Sequence, residues 1–122
     1  MGRRRGRRTG RCEPNGRCDV IARFWSAETT QAQAPAYRHH LTTHVLPTLR
    51  KVDGYARTML LQRDEADSVE LVVITLWQSL DSVRQFAGSD VQQAVVSDKA
   101  TPLLNRFDQH VRHYELVVND RV

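Results

Sequence analysis

Four short runs of apolar residues alternate with polar loops and helical periodicities beyond residue 19. Their β-branched and aromatic side chains predict four β-strands. The third run is apolar almost without interruption, so we expect a central strand that is covered on both faces. The predicted strands are residues 20–26, 55–63, 69–77 and 110–118.

A stripe of apolar side chains with a spacing of four predicts the first helix. The helix begins at Pro35, whose missing N–H costs nothing in a first turn, and extends to Lys51. Pro47 falls inside this pattern, so we expect a kink or break near residues 45–46. The stripe that faces the sheet consists of Tyr37, Leu41, Val45 and Leu49.

The second helix is predicted over residues 80–87, between an N-cap at Ser79 and a C-terminal glycine at position 88. Short helical pieces from Asp90 and over residues 100–107 lead to the last strand. The resulting β-α-β-β-α-β order predicts an α+β domain of the ferredoxin-like type over residues 19–122.

Two helices can cover only one face of a four-stranded sheet. Because the strands are apolar, the second face would expose apolar side chains to solvent. Burying about 500 Å² of such surface contributes about 12 kcal/mol before costs. A second copy related by a two-fold axis is the simplest cover. We therefore expect a homodimer with its sheets face to face.

The charge of the chain is divided between two regions. Residues 1–18 carry seven arginines against one glutamate, whereas the remainder carries eleven basic against thirteen acidic residues. Residues 1–18, which we call the head, contain no aromatic residue, so this region is predicted to be a disordered extension. An arginine-rich arm suits nucleic acid, but the acidic balance of the folded part disfavours that partner. No run approaches the ~20 apolar residues of a membrane span.

Both cysteines, Cys12 and Cys18, lie in the head, and their spacing is not that of a zinc site. The folded part therefore has no disulfide and no thiol nucleophile, which fits a reducing cytoplasm. The chain also has no phosphate-binding glycine loop and no dinucleotide fingerprint.

Several short motifs, in order over residues 20–118, resemble the antibiotic biosynthesis monooxygenase (ABM) family. The resemblance implies a dimeric α/β barrel with a pocket between helices and sheet, and catalysis without a cofactor on aromatic organic substrates. The motifs are Tyr37-x-x-His40-Leu41, Val45-Leu46-Pro47, Thr75-Leu76-Trp77-Gln78-Ser79-Leu80-Asp81, Phe86-Ala87-Gly88, Ala94-Val95-Val96 and His113-Tyr114-Glu115.

Two branches of that family differ in their pocket residues. The haem-degrading branch uses an Asn, a Trp and a His at positions that align with Arg23, Phe86 and Val96. None of the three carries the required group here, which argues against haem degradation. The quinone-forming branch uses Asn, Trp and Tyr residues to orient a substrate anion, and the folded part offers only Asn105 and Asn119 as asparagines.

Histidines are the candidates for proton transfer, because their charge changes near pH 7. His40 and His44 share one face of the first helix and suit a pocket wall, a metal site or a plain helix flank. The chain has no H-E-x-x-H sequence, so we expect no metal. His113 points to the sheet face opposite Tyr114. We expect His113 and His40 to be catalytic, the alternative for His113 being a pair with Glu115.

The expected substrate-binding residues combine aromatic walls with one charge. Trp25 and Trp77 end strands and suit a flat apolar substrate, although both also suit a core. Arg23 lies among apolar neighbours and needs a partner, either a substrate anion or Glu70 or Glu115 across the sheet. The expected set is Arg23, Trp25, His44, Trp77, Phe86 and Tyr114.

Three functions remain open from the sequence. The first is a small cofactor-free monooxygenase that acts on a hydrophobic or aromatic organic molecule. The second is a dimeric ligand-binding or stress-linked barrel without turnover. The third is RNA binding, because RNA-recognition domains share the element order and present aromatic side chains on central strands, here strands one and four.

Overall fold

The first strand lies inside the sheet, with neighbouring strands along both of its edges. Its side chains point alternately to the two faces of the sheet. The computed structural model describes residues 20–120; the predicted disordered extension, residues 1–18, lies outside them. The elements follow in the order β1 Ile21–Thr29, α1 Ala34–His40, a π-helical segment Leu41–Val45, α2 Leu46–Leu49, β2 Tyr55–Asp64, β3 Val69–Trp77, α3 Leu80–Ala87, a 3₁₀ turn Thr101–Leu103, β4 Arg106–Phe107 and β5 Arg112–Glu115.

The sheet is antiparallel, with the order β2-β3-β1-β4 and with β5 beside β1 on the same edge as β4. This order confirms the predicted ferredoxin-like α+β fold and the central position of the third strand. The prediction that strands one and four are both central is wrong for strand four. β5 pairs with β1 alone, and the aromatic side chain of Tyr114 therefore lies at an edge.

The predicted last strand, residues 110–118, is shortened to β5, and a separate short strand, β4, precedes it. Asp108 separates them: its carboxylate accepts hydrogen bonds from the N–H and the hydroxyl of Ser26, at 3.2 and 2.9 Å. They add to the backbone bond from the Asp108 N–H to the Ser26 carbonyl, at 2.9 Å, and hold the connection between β4 and β5 against β1. β1 also ends three residues later than predicted, because it pairs with β4 at Ala27 and Glu28 and with β3 as far as Thr29.

The first helix continues through Pro47 instead of ending there. Proline has no N–H to complete the ladder, and the helix widens before it into the π-helical segment. The N–H of Leu46 accordingly reaches the carbonyl of Leu41, five residues back. The predicted irregularity near residues 45–46 is thus a π-bulge.

The segment after α3 contains less helix than predicted. Residues 88–99 form bends and turns, held by an isolated bridge between Gln93 and His110. The helix predicted over residues 100–107 is wrong beyond Leu103, because Arg106 and Phe107 pair with β1 instead. Tertiary pairing overrides the local preference here.

The helices cover one face of the sheet. The covered face holds the buried core, in which Trp25, Tyr37, Leu41 and Leu71 pack together. The second face carries apolar side chains that are only partly covered, including Phe24 and Ile74, and Leu61 and Tyr114 are each 51% exposed there. We call this second face the open face. No helix of residues 20–120 has the length and apolar character to cross a membrane.

Candidate functional site

A cavity of about 320 Å³ lies between the covered face of the sheet and the first helix. This volume falls at the lower end of ligand pockets, which are roughly 300–1,000 Å³. Its apolar walls include Trp25, Leu41, Val45, Val73, Val96 and Val111. The cavity is therefore suited to a compact, mostly apolar molecule.

The polar groups of the cavity are basic or neutral at the described positions. The deep part holds Arg23, Tyr37 and His40, which are each less than 8% exposed. The mouth holds the exposed residues His44 and Lys99. No Asp or Glu lines the cavity within residues 20–120, so an anion formed inside meets no carboxylate there.

His40 is placed on the cavity wall by the last turn of α1. Its side chain is 7% exposed, and its Nε2 lies 3.3 Å from the hydroxyl oxygen of Ser97. Burial lowers the pKa of His40 below 6.5, and the nearby charges of His44 and Lys99 lower it further. The imidazole is consequently neutral at pH 7 and retains a nitrogen lone pair that can accept a proton.

The π-helical segment brings His44 over the same wall. The ring centroids of His40 and His44 are 5.4 Å apart, and both rings border the cavity. Over residues 20–120, no group of three or more His, Cys, Asp or Glu side chains is arranged to hold a metal ion. The second histidine instead contributes a polar and titratable rim at the mouth.

Arg23 and His113 form a pair beneath the cavity. The two residues are neighbours in the β1–β5 register, and an Arg23 Nη1–H donates to His113 Nε2 at 3.0 Å. Arg23 also donates to the carbonyls of Val91 and Gln93, at 2.6 and 3.0 Å. Burial lowers the pKa of Arg23 to about 10, so the guanidinium remains charged at neutral pH.

The Arg23–His113 hydrogen bond affects two predicted roles, that of His113 in catalysis and that of Arg23 in substrate binding. The His113 Nε2 accepts from an arginine, so its lone pair is occupied and its proton lies on Nδ1. Burial and the charge of Arg23 both lower the pKa of His113, which does not line the cavity. The predicted Arg23–Glu70 pair is wrong: Glu70 is hydrogen-bonded to Arg63, at 2.6 and 3.0 Å.

Trp25 and Tyr37 form the aromatic wall opposite the mouth. Their rings are stacked, with centroids 6.2 Å apart, and the Trp25 Nε1–H donates to the Asp108 carbonyl at 2.9 Å. Tyr37 is 5% exposed, and burial raises the pKa of its hydroxyl to about 12. The wall therefore presents rigid rings to a ligand, with a neutral phenol among them.

The remaining predicted residues have different positions. Phe86 lines the cavity beneath the Arg23 guanidinium, whose carbon is 5.8 Å from the ring centroid. Trp77 is fully buried behind Phe86, with ring centroids 5.7 Å apart, and supports the wall without forming it. Tyr114 lies on the open face against Phe24, as the alternation with His113 requires.

The sequence reasoning missed three residues of the site: Tyr37, Ser97 and Lys99. Tyr37 belongs to the apolar stripe and was assigned to the core, although a phenol in such a stripe signals a polar group that needs a partner. Ser97 and Lys99 lie in the irregular segment before the 3₁₀ turn, whose path no periodicity encodes.

Fold and cavity together define a small ferredoxin-like protein with a ligand pocket between its helices and its sheet. The sequence profile of the antibiotic biosynthesis monooxygenase family matches residues 20–98, and the chain belongs to that family. The profile covers β1 to the cavity mouth. No curated protein shows significant sequence similarity to the chain.

Solved structures share the fold at low sequence identity. A Bacillus cereus protein described as an antibiotic biosynthesis monooxygenase is 13% identical with a TM-score of 0.62, over 84% of this chain and 98% of that one. The monooxygenase from the gene ActVA-Orf6 of Streptomyces coelicolor, in complex with nanaomycin D, is 15% identical with a TM-score of 0.53, over 90% and 94%. The heme-degrader MhuD of Mycobacterium tuberculosis, with two hemes bound, is 17% identical with a TM-score of 0.54, over 82% and 99%.

Arg23, Phe86 and Val96, which the sequence resemblance predicts to take the positions of the haem-degrading residues, all border this cavity. The valine side chain at position 96 has no lone pair and cannot ligate iron. The likeness to MhuD shows the fold alone.

Proposed function

We propose that the chain is a cofactor-independent monooxygenase that oxidises a hydrophobic aromatic substrate in this cavity. The observation that carries the proposal is a neutral imidazole, His40, on the wall of an apolar pocket of ligand size. Membership of the family supports the reaction class. The apolar walls favour a flat organic molecule, because few polar groups compete for it.

The proposed step begins with an activated C–H bond of a substrate such as an anthrone. His40 takes the proton, and the electron pair of that bond delocalises into the ring system and onto the carbonyl oxygen. Dioxygen, the co-substrate, takes up these electrons and bonds to the same carbon as a peroxide anion, which receives the proton back from His40 and becomes a hydroperoxide. Loss of water from the hydroperoxide leaves the quinone carbonyl. One oxygen atom thus enters the product and the other leaves as water.

The geometry favours His40 over His113 as the base. His40 borders the cavity, whereas the Nε2 of His113 accepts a hydrogen bond from Arg23 below it. The lowered pKa of His40 keeps the base form populated at pH 7. We propose that Trp25, Phe86 and His44 contact the substrate and that Arg23 stabilises the bottom of the cavity.

Oxygen uptake with anthrone as the substrate tests this proposal. We expect His40→Asn to lower the rate by at least ~10²-fold, the usual worth of a positioned base. His39→Asn is the matched control, because His39 is exposed on the same helix and lies outside the cavity. It should retain the wild-type rate.

Two outcomes contradict the assignment. A wild-type rate in His40→Asn, together with loss in His113→Asn, would move the base to His113. A wild-type rate in both variants would exclude both His40 and His113 as the base. Tight binding of anthrone without any oxygen uptake would favour the ligand-binding barrel instead.

We also propose that the working form is a cytoplasmic homodimer joined through the open face. Phe24, Ile74 and Leu61 are apolar and incompletely covered there, and Arg112 caps the Phe24 ring with its guanidinium carbon 4.9 Å from the centroid. Contiguous apolar surface of this kind marks an interaction site. An identical copy supplies a self-complementary cover.

A further inference from the structure

The most deeply buried tyrosine hydroxyl has no hydrogen-bond partner within the described part of the chain. Tyr37 is 5% exposed, and its ring contacts those of Trp25 and His40, at centroid distances of 6.2 and 6.1 Å. Buried hydroxyls of tyrosine ordinarily have a partner. The missing partner therefore calls for an explanation.

The other polar aromatic groups make the contrast clear. The Tyr55 hydroxyl lies 2.6 Å from the Thr58 hydroxyl oxygen, and the Tyr114 hydroxyl accepts from Arg112 at 3.0 Å. Both tryptophan N–H groups also donate, to Asp108 and to Thr75. Tyr37 differs from all of them in bordering the cavity without such a bond.

The contacts of Tyr37 restrict the orientation of its ring, and its protonated hydroxyl can donate a hydrogen bond. Stacking on Trp25, itself tied to Asp108, restricts the orientation of the ring. Burial raises the pKa of Tyr37 to about 12, so the phenol keeps its proton at any working pH. A ligand that enters this cavity can thus complete the unmade hydrogen bond with an acceptor oxygen.

We propose that Tyr37 donates a hydrogen bond to the carbonyl oxygen of an aromatic ketone and thereby selects such ketones over aromatic hydrocarbons. This inference rests on the proposed function for its substrate class. It adds a second role during proton abstraction, because charge then develops on the same oxygen and strengthens the bond. Tyr37 and His40 are one turn apart on α1, so one helix positions both groups.

Binding under anaerobic conditions tests the inference without any turnover. The probes are anthrone and 9,10-dihydroanthracene, which share the ring system and differ by the carbonyl oxygen. Quenching of tryptophan fluorescence reports binding, because Trp25 borders the cavity. We expect the wild type to bind anthrone about tenfold more tightly than the hydrocarbon, and Tyr37→Phe to abolish this preference.

The control variant is Tyr55→Phe, which removes a partnered hydroxyl that does not border the cavity. It should keep the tenfold preference for anthrone. Tyr37→Phe should also remain as stable as the wild type, because no hydrogen bond is lost on folding.

The inference is overturned if the wild type shows no preference for anthrone, including no detectable binding of it. It is also overturned if Tyr37→Phe weakens both probes equally or keeps the preference. Loss of oxygen uptake in His40→Asn bears on the proposed function alone. A preference that depends on Tyr37 in a protein without oxygen uptake would sink the proposed reaction and leave this inference standing.

Discussion

The close approach of Gly54 to the helix α3 should make this glycine irreplaceable. Gly54 has φ +90°, and a Cβ at this position would lie 1.9 Å from the Oγ and 2.6 Å from the Cβ of Ser82. Ser82 is buried in the first turn of α3, which carries Phe86 to the cavity wall. We therefore consider the substitution Gly54→Ala.

Two costs add in Gly54→Ala. The positive φ costs an L-residue roughly 1–2 kcal/mol. The clash with Ser82 adds about 1–3 kcal/mol, the usual cost of overpacking, because Ser82 is held at the helix start by Ser79. The expected loss is about 2–5 kcal/mol. At roughly 4–8 °C per kcal/mol for a domain of this size, the melting temperature should fall by at least ~10 °C.

Gly88→Ala is the matched control. Gly88 has the same φ of +90°, but no atom lies within 4 Å of its added Cβ. Its φ of +90° and ψ of −170° lie in a region that is almost confined to glycine, so Gly88→Ala should lose only this conformational part, about 1–3 kcal/mol. Thermal unfolding followed by circular dichroism measures both variants, and Gly54→Ala/Ser82→Gly should recover part of the loss. Equal losses for the two glycine variants, or no recovery in the double variant, would refute the steric reasoning.

Three further predictions concern charge and assembly. Stability should fall as the pH drops below 6.5: the pKa values of His40 and His113 are lowered in the native state, so the unfolded chain binds protons that the native state does not. Urea midpoints from pH 7.5 to 5 should show this slope, and a slope unchanged in the doubly Gln-substituted variant would contradict it. Arg23→Met should lower the free energy of unfolding by about 2–4 kcal/mol, because two carbonyls of residues 91–93 lose their donors; an unchanged urea midpoint would contradict this. Sedimentation should show a dimer for the full chain and a monomer for Phe24→Glu, and a monomeric wild type at micromolar concentration would end the dimer proposal.

The sheet and the longer helices were accessible from the sequence because their signals are local. The period-four stripe, the Ser79 cap and the apolar run over residues 69–77 each specify one element, and each is confirmed. The bounds of the last two strands were not predictable, because β4 lies where a helix was predicted and its connection to β5 is held by the contact between Asp108 and Ser26, eighty-two residues apart. Contacts of this kind have no local signature.

The cavity was only partly predictable. Arg23, Trp25, His40, His44 and Phe86 border it, since alternation and helix periodicity set their directions, and their roles toward a substrate stay predictions. The position of His113 beneath Arg23 depends on the register between β1 and β5, which the sequence does not state. Tyr37 was hidden because its spacing fits a core residue equally well.

The segment between α3 and β4 borders the cavity mouth and is fastened to the sheet at both ends, the far end by a bond from the Thr29 hydroxyl to the Leu103 carbonyl and one from the Asn105 N–H to the Glu28 carbonyl. Near its start, backbone bonds to residues 109–111 and the Arg23 side chain fasten it, whereas Val95, Ser97 and Lys99 lie exposed at the mouth. The proposed base and the aromatic wall belong to α1 and β1, outside this segment. Changes in its length or composition can therefore alter which molecules enter, while the reacting groups stay in place. The residues that determine which molecules enter the cavity can therefore change during evolution while the fold stays the same.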